Sequence, residues 1–325
     1  MSRGAQLSSA PRQTTTREEK VTAMRQVVVP LVFLIGLAAA GMGQGPEEYK
    51  ISMDVDLVVL HATVLDGKGR FASDLGERNF EVYQDGVRQA IRLFRHEDIP
   101  VTVGLVVDHS GSMRPKLGDV IGAARSFVRS SNQADQVFVV NFNEHVTMGL
   151  PAPQRFTNRP DELEGAILRG PATGETALYD AIAAALERLQ TSEQDKKVLI
   201  VISDGGDNAS AHTLSGVLKM AEQSSAVVYA IGIFDADDVD KDPGVLERLA
   251  RTTGGEAFFP GQLTEVVAIC ERIARDIRNQ YTIGFAPAGA AQPGVYRAIR
   301  VAAAGTAYGK LSVRARSGYI AGGAK

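Results

Sequence analysis

Four apolar runs of strand length, spaced by helical patterns, constrain the fold of this chain more than any other feature. They are "VTVGLVVD" (101 to 108), "QVFVVNF" (136 to 142), "KVLIVIS" (197 to 203) and "AVVYAIGI" (226 to 233). Each carries apolar, mostly β-branched residues with little polar alternation, as strands buried on both faces do. Around them, apolar residues recur at helical spacing over Leu117 to Ser130, Ala177 to Leu189, Leu214 to Gln223, Pro243 to Arg251 and Leu263 to Asn279. Strands alternating with helices predict an α/β fold, a doubly wound and mostly parallel sheet. "HVTMGL" (145 to 150) follows its predecessor too closely for a helical crossover and is expected as an antiparallel edge strand.

Both flanks read as β. "VDLVVLHATVLDGKGRFA" and "NFEVYQDGVRQAIRLF" each place apolar residues around a turn signal, Asp66-Gly67 and Asp85-Gly86, which predicts two hairpins. After Gln280, "YTIGFAP", "VYRAIRVAAA" and "KLSVRARSGYI" read as three short strands. The first α/β strand starts at the bottom edge of the sheet, and the last helix, running antiparallel to the strands, ends at that edge. Entry near Pro100 and exit near Gln280 are therefore neighbours. The expected organisation is a small β-sandwich-like domain split into segments 46–98 and 281–325, with the α/β domain 99–280 inserted. Independent flanking pieces are the alternative, although sheets of two or three strands are marginal alone.

Residues 1–45 read as a targeting segment outside the fold. Met24-Arg25-Gln26 precedes the apolar run Val27 to Ala40, and the small residues of "AAAGMGQG" follow. That order predicts a secretory signal, with Met24 as the true start and the preceding residues as a non-native extension. The run is shorter than the roughly 18 residues of a membrane span, so a membrane link is expected only through an uncleaved N-terminal anchor. Export to the periplasm, cell surface or medium follows. The net charge of −3, from 35 basic and 38 acidic residues, supplies no basic face for phosphates, so no nucleic-acid partner is expected. A single cysteine, Cys270, rules out an internal disulfide. It lies on the helical stripe Leu263, Val266, Cys270, Ile273, Ile277 and reads as a buried apolar side chain rather than a reactive thiol.

The chemistry gathers at strand ends, where open parallel sheets bind ligands. Asp108 ends the first run, and Asp204 closes "KVLIVISDGGDN". Two such carboxylates repel unless positive charge lies between them, and a hard divalent cation with oxygen ligands answers that need. Ser110 and Ser112 flank Gly111 on the following turn, and Thr176 begins a helix after the glycine loop of "PATGETALYDAI". In this order, D-x-S-x-S after a strand, Thr in a G-x-T loop and Asp in "ISDG" resemble the metal-ion-dependent adhesion site of von Willebrand factor type A domains. The resemblance covers residues 100 to about 280. It implies that Ser110, Ser112 and Thr176 supply hydroxyl ligands, while Asp108 and Asp204 bind directly or through water. It further implies Mg²⁺ as the cation, with Mn²⁺ or Ca²⁺ as alternatives, and a protein partner whose Asp or Glu completes the coordination. The function implied is metal-dependent adhesion or protein binding, not catalysis. "NFEVYQDG" and "VRARSGYIA" are similar to the flanks of bacterial secreted proteins that carry a variant A domain between β segments.

Simpler readings stand beside these. D-x-S-x-S alone is also a turn or helix cap. His109 is expected at the surface, away from the metal. "DADDVDKDP" (235 to 243) lacks the glycine and terminal Glu of a calcium loop and reads as a solvated rim, with Asp242-Pro243 opening a helix. The rival function is an aspartyl-nucleophile phosphohydrolase using Asp108 with Mg²⁺; Ser110 then stands where a second acid would donate the proton.

Overall fold

The computed structural model describes residues 57–204, 206–234, 241–287 and 292–322. The signal segment, the true start and most of the 235–243 acidic run lie outside the described residues. In chain order the elements are β1 (Val58–Leu65), β2 (Phe80–Gln84), β3 (Val87–Gln89), β4 (Ile91–Arg95), β5 (Val101–Asp108), α1 (Leu117–Arg129), β6 (Gln136–Phe142) and β7 (Val146–Met148). There follow α2 (Pro160–Ile167), α3 (Leu178–Gln190), β8 (Lys196–Ser203), α4 (Leu214–Gln223), β9 (Val227–Gly232) and α5 (Pro243–Thr253). The chain continues with β10 (Ala257–Phe258), α6 (Glu265–Arg278), β11 (Tyr281–Phe285), β12 (Tyr296–Ala303), β13 (Ser312–Arg314) and β14 (Gly318–Ile320).

The apolar runs form the central sheet, ordered β10-β9-β8-β5-β6-β7. All neighbours are parallel except β7, which closes the edge antiparallel to β6. Every residue of β5 and β9 is buried, as helices on both faces require. Helix α1 packs with α2 and α6, and α4 packs with α3 and α5. Strand order reverses at β5, between β8 and β6, so the C-terminal ends of β5 and β8 flank the topological switch point.

Two antiparallel sheets complete the fold, ordered β13-β1-β11-β4 and β14-β12-β2-β3. In the first, N-terminal β1 lies between C-terminal β11 and β13; in the second, N-terminal β2 pairs with C-terminal β12. Leu60, Phe80, Val82, Tyr281, Ile283 and Phe285 fill the space between them. Entry and exit of the α/β part meet through Arg278, which pairs with Asp98, donates to Ile99 O at 3.2 Å and reaches Asp135 Oδ2 at 2.6 Å.

Of the two expected hairpins, only β2-β3 forms, around Asp85 and Gly86, both at positive φ. After Asp66-Gly67 the chain makes a single bridge, Leu65 to Phe71, because β11 and β13 take both edges of β1. The structure adds α2 and β10 to the expected elements.

Candidate metal site

Asp108 is the last residue of β5 and has no solvent exposure. Its Oδ1 accepts the Ser110 N–H at 2.7 Å, an Asx-type turn that bends the chain out of the sheet. Its Oδ2 accepts the Ser203 hydroxyl at 2.7 Å from the end of β8, the adjacent strand. Ser110 caps a 3-10 turn over Gly111–Lys116, anchored by buried Met113. The Ser110 and Ser112 hydroxyls lie 3.1 Å apart, and Ser112 donates to Asp204 Oδ2 at 2.9 Å. Asp204 Oδ1 accepts the Gly206 N–H at 3.3 Å. Four of the expected residues thus form one hydrogen-bonded run across two strand ends, from buried Asp108 through exposed Ser112 to buried Asp204.

Thr176, the fifth, is buried two residues before α3. Its N–H donates to Asn208 Oδ1 at 2.8 Å, and its carbonyl accepts from Asn208 N at 3.0 Å and Ala209 N at 3.2 Å. The Gly111 N–H donates to Gly174 O at 3.3 Å, so the Thr176 loop is tied to the loops of both Asp108 and Asp204.

Burial pushes the Asp108 carboxyl up to about 6; the Ser110 and Ser203 hydrogen bonds oppose the rise, and the Asp204 charge adds to it. Among the described residues, no three His, Cys, Asp or Glu gather as metal ligands. The five expected residues carry two carboxylates and three hydroxyls, all oxygen, a composition that suits a hard cation.

His109 is not at the surface: it is 2% exposed, and its main-chain N–H donates to Phe142 O at 2.6 Å. Burial holds its pKa below the ordinary value. Asp242 caps α5, accepting the Val245 N–H at 3.2 Å, with Pro243 at the first helical position. Cys270 is buried in the core, its thiol pushed up to about 12 by desolvation. Ser203, Asn208 and Asn143 are contributors that sequence reasoning did not single out. Ser203 reads as one more strand residue, and the two asparagines acquire meaning only when distant loops meet.

Residues 102–269 match the family model of the von Willebrand factor type A domain. The chain belongs to that family. Von Willebrand factor type A domains are typically metal-dependent adhesion or protein-interaction modules and generally not enzymes. No curated protein matches the chain. Among solved structures, a von Willebrand factor type A protein from Catenulispora acidiphila is 13% identical, with 83% of this chain and 76% of that one covered and a TM-score of 0.49. The von Willebrand factor domain of the type V pilus tip protein Mfa5 from Porphyromonas gingivalis is 15% identical over 55% of this chain and 95% of that one, with a TM-score of 0.47. Proximal thread matrix protein 1 from the mussel byssus, with a zinc-occupied MIDAS motif, is 17% identical over 56% of this chain, with a TM-score of 0.47. The match spans 48% of the byssus protein's length, about half.

Proposed function

We propose that Asp108, Ser110, Ser112, Thr176 and Asp204 hold a divalent cation, Mg²⁺ first and Mn²⁺ or Ca²⁺ as alternatives, and that a protein partner's Asp or Glu adds the final oxygen. The observation that carries this reading is the hydrogen-bonded run from Asp108 through Ser110 and Ser112 to Asp204 at the switch point of the sheet. A bound cation supplies the positive charge that two neighbouring carboxylates lack from each other. The protein then acts outside the cytoplasm as an adhesion or interaction module, a location that rests on the apolar segment Val27 to Ala40. Among the described residues, no helix is long and apolar enough to cross a membrane. Segments 46–98 and 281–325 belong in this proposal to one β domain carrying 99–280 as an insert, a division supported by the place of β1 between β11 and β13.

The test is capture of exported proteins on the immobilised chain in Mg²⁺ and in chelator, with Ser110→Ala and Asp204→Ala as controls. Capture is expected in Mg²⁺ alone and to be lost in both variants. Capture indifferent to chelator and to both substitutions would overturn the reading. The phosphohydrolase alternative is disfavoured by Ser110, which stands where a second acid would donate the proton. Phosphatase turnover abolished by Asp108→Asn would restore it.

A further inference from the structure

We infer that two asparagines outside the ligand set, Asn208 and Asn143, position Thr176 for the cation, one through an acceptor and the other through a donor. The inference rests on the metal reading above and adds residues to it. A neutral hydroxyl is a weaker cation ligand than a carboxylate, so its worth depends on being held in place before the ion arrives. The segment before Thr176 has no secondary structure to hold it and turns through Gly170 and Gly174, both at positive φ. Its restraint comes from the two sides.

On the β8 side, Asn208 Oδ1 accepts the Thr176 N–H while the Asn208 N–H donates to the Thr176 carbonyl, so one residue grips both ends of the Thr176 backbone. On the β6 side, the turn after Phe142 does the rest. Asn143 Nδ2 donates to Thr173 O at 2.9 Å, and the Asn143 carbonyl accepts the Ala177 N–H at 2.7 Å. Beside them, the Glu144 carboxylate accepts the Glu175 N–H at 3.1 Å and occupies the space a Cβ on Gly174 would take. Residues 173, 175, 176 and 177 are therefore each bonded to one asparagine or to the residue after it.

The two side chains play opposite chemical parts, which makes one substitution diagnostic. In Asn208→Asp the carboxylate still accepts the Thr176 N–H. In Asn143→Asp the donor to Thr173 O is gone, and a charged oxygen faces a carbonyl instead.

The experiment titrates the full chain calorimetrically with MgCl₂ and measures melting in chelator for wild type and variants. Asn208→Ala is expected to weaken Mg²⁺ binding about ten- to a hundredfold, as loss of outer-shell partners does, with a small fall in chelator melting from the Thr176 N–H left without its acceptor. Asn208→Asp is expected to hold affinity at or above wild type, and Asn143→Asp to lower it. In the Thr176→Ala background, Asn208→Ala should cost little more, because the hydroxyl it positions is already gone. Wild-type affinity in Asn208→Ala while Thr176→Ala binds weakly would overturn the positioning role and leave the metal site standing. Fully additive losses, or a fall in chelator melting that tracks the lost affinity, would overturn it too. A wild-type chain that takes up no Mg²⁺ would overturn the metal reading itself.

Discussion

His61 lies in β1 with its ring enclosed, its Nδ1 3.3 Å from Thr282 Oγ1. Burial, then the nearby charges of Lys196 and Arg316, hold its pKa down to about 3. The unfolded chain takes a proton near 6.5 and the folded one only near 3, so the unfolded state binds more protons throughout that window. Stability is complete above pH 6.5 and is lost as pH falls toward 3, at up to about 1.4 kcal/mol per unit. Denaturant unfolding at pH 6.5 and 5 should show a drop of about 2 kcal/mol from this group in wild type, and a smaller drop in His61→Gln. Equal drops in both would dismiss His61 as the cause. At this scale the candidate site was partly legible. Asp108, Ser110, Ser112 and Asp204 stand at strand ends whose positions the apolar runs betray. Ser203 was hidden because its hydroxyl belongs to a buried strand residue. The burial of His109 was hidden because the contact that fixes it, its main-chain N–H on the Phe142 carbonyl of β6, leaves no mark in local sequence.

Elements were read best where burial is two-sided. The limits of β5, β6 and α4 coincide with the expected ones, and the stripe through Cys270 is the buried face of α6. Helix α2 escaped because only Leu163, Ala166 and Ile167 are buried in its eight residues, too few to set a period. Strand β10 has two residues and exists through its pairing with β9. Two joints between elements make sharp predictions. Buried Asp276 near the end of α6 accepts the Thr63 hydroxyl at 2.6 Å and pairs with Arg314 of β13. Asp276→Ala leaves that guanidinium with Glu256 as its remaining carboxylate and takes the acceptor from the Thr63 hydroxyl, and should cost about 2 kcal/mol in denaturant unfolding; a loss under about 0.5 kcal/mol would show the pair to be idle. Gly254 ends α5 in the left-handed region, φ 86°, and a Cβ there would stand 2.5 Å from Arg316 N. Gly254→Ala therefore combines backbone strain with a clash against main chain and should cost about 2 kcal/mol or more by the same measurement.

At the scale of the whole molecule, the proposed cation links the site to global stability. A ligand bound only by the folded chain, at about a hundred times its dissociation constant, adds about 2.7 kcal/mol. Melting in excess Mg²⁺ should thus exceed melting in chelator by several degrees, and Asp204→Ala should erase the difference. A wild-type midpoint unmoved by Mg²⁺ would contradict the linkage. The flanking β segments were legible as strands, but which strand pairs with which was not, since pairing between residues over two hundred positions apart leaves no trace in local pattern. The place of entry and exit was legible, because it follows from helix and strand direction alone. It also decides how the molecule bears load. Tension applied by a partner at the top of the α/β sheet leaves that domain through the end of β4 and the start of β11, hydrogen-bonded neighbours joined at Thr282 and Arg95. With the chain held ahead of β1, both strands are drawn the same way and β11 is loaded along β1 in shear, the whole ladder at once rather than one bond at a time.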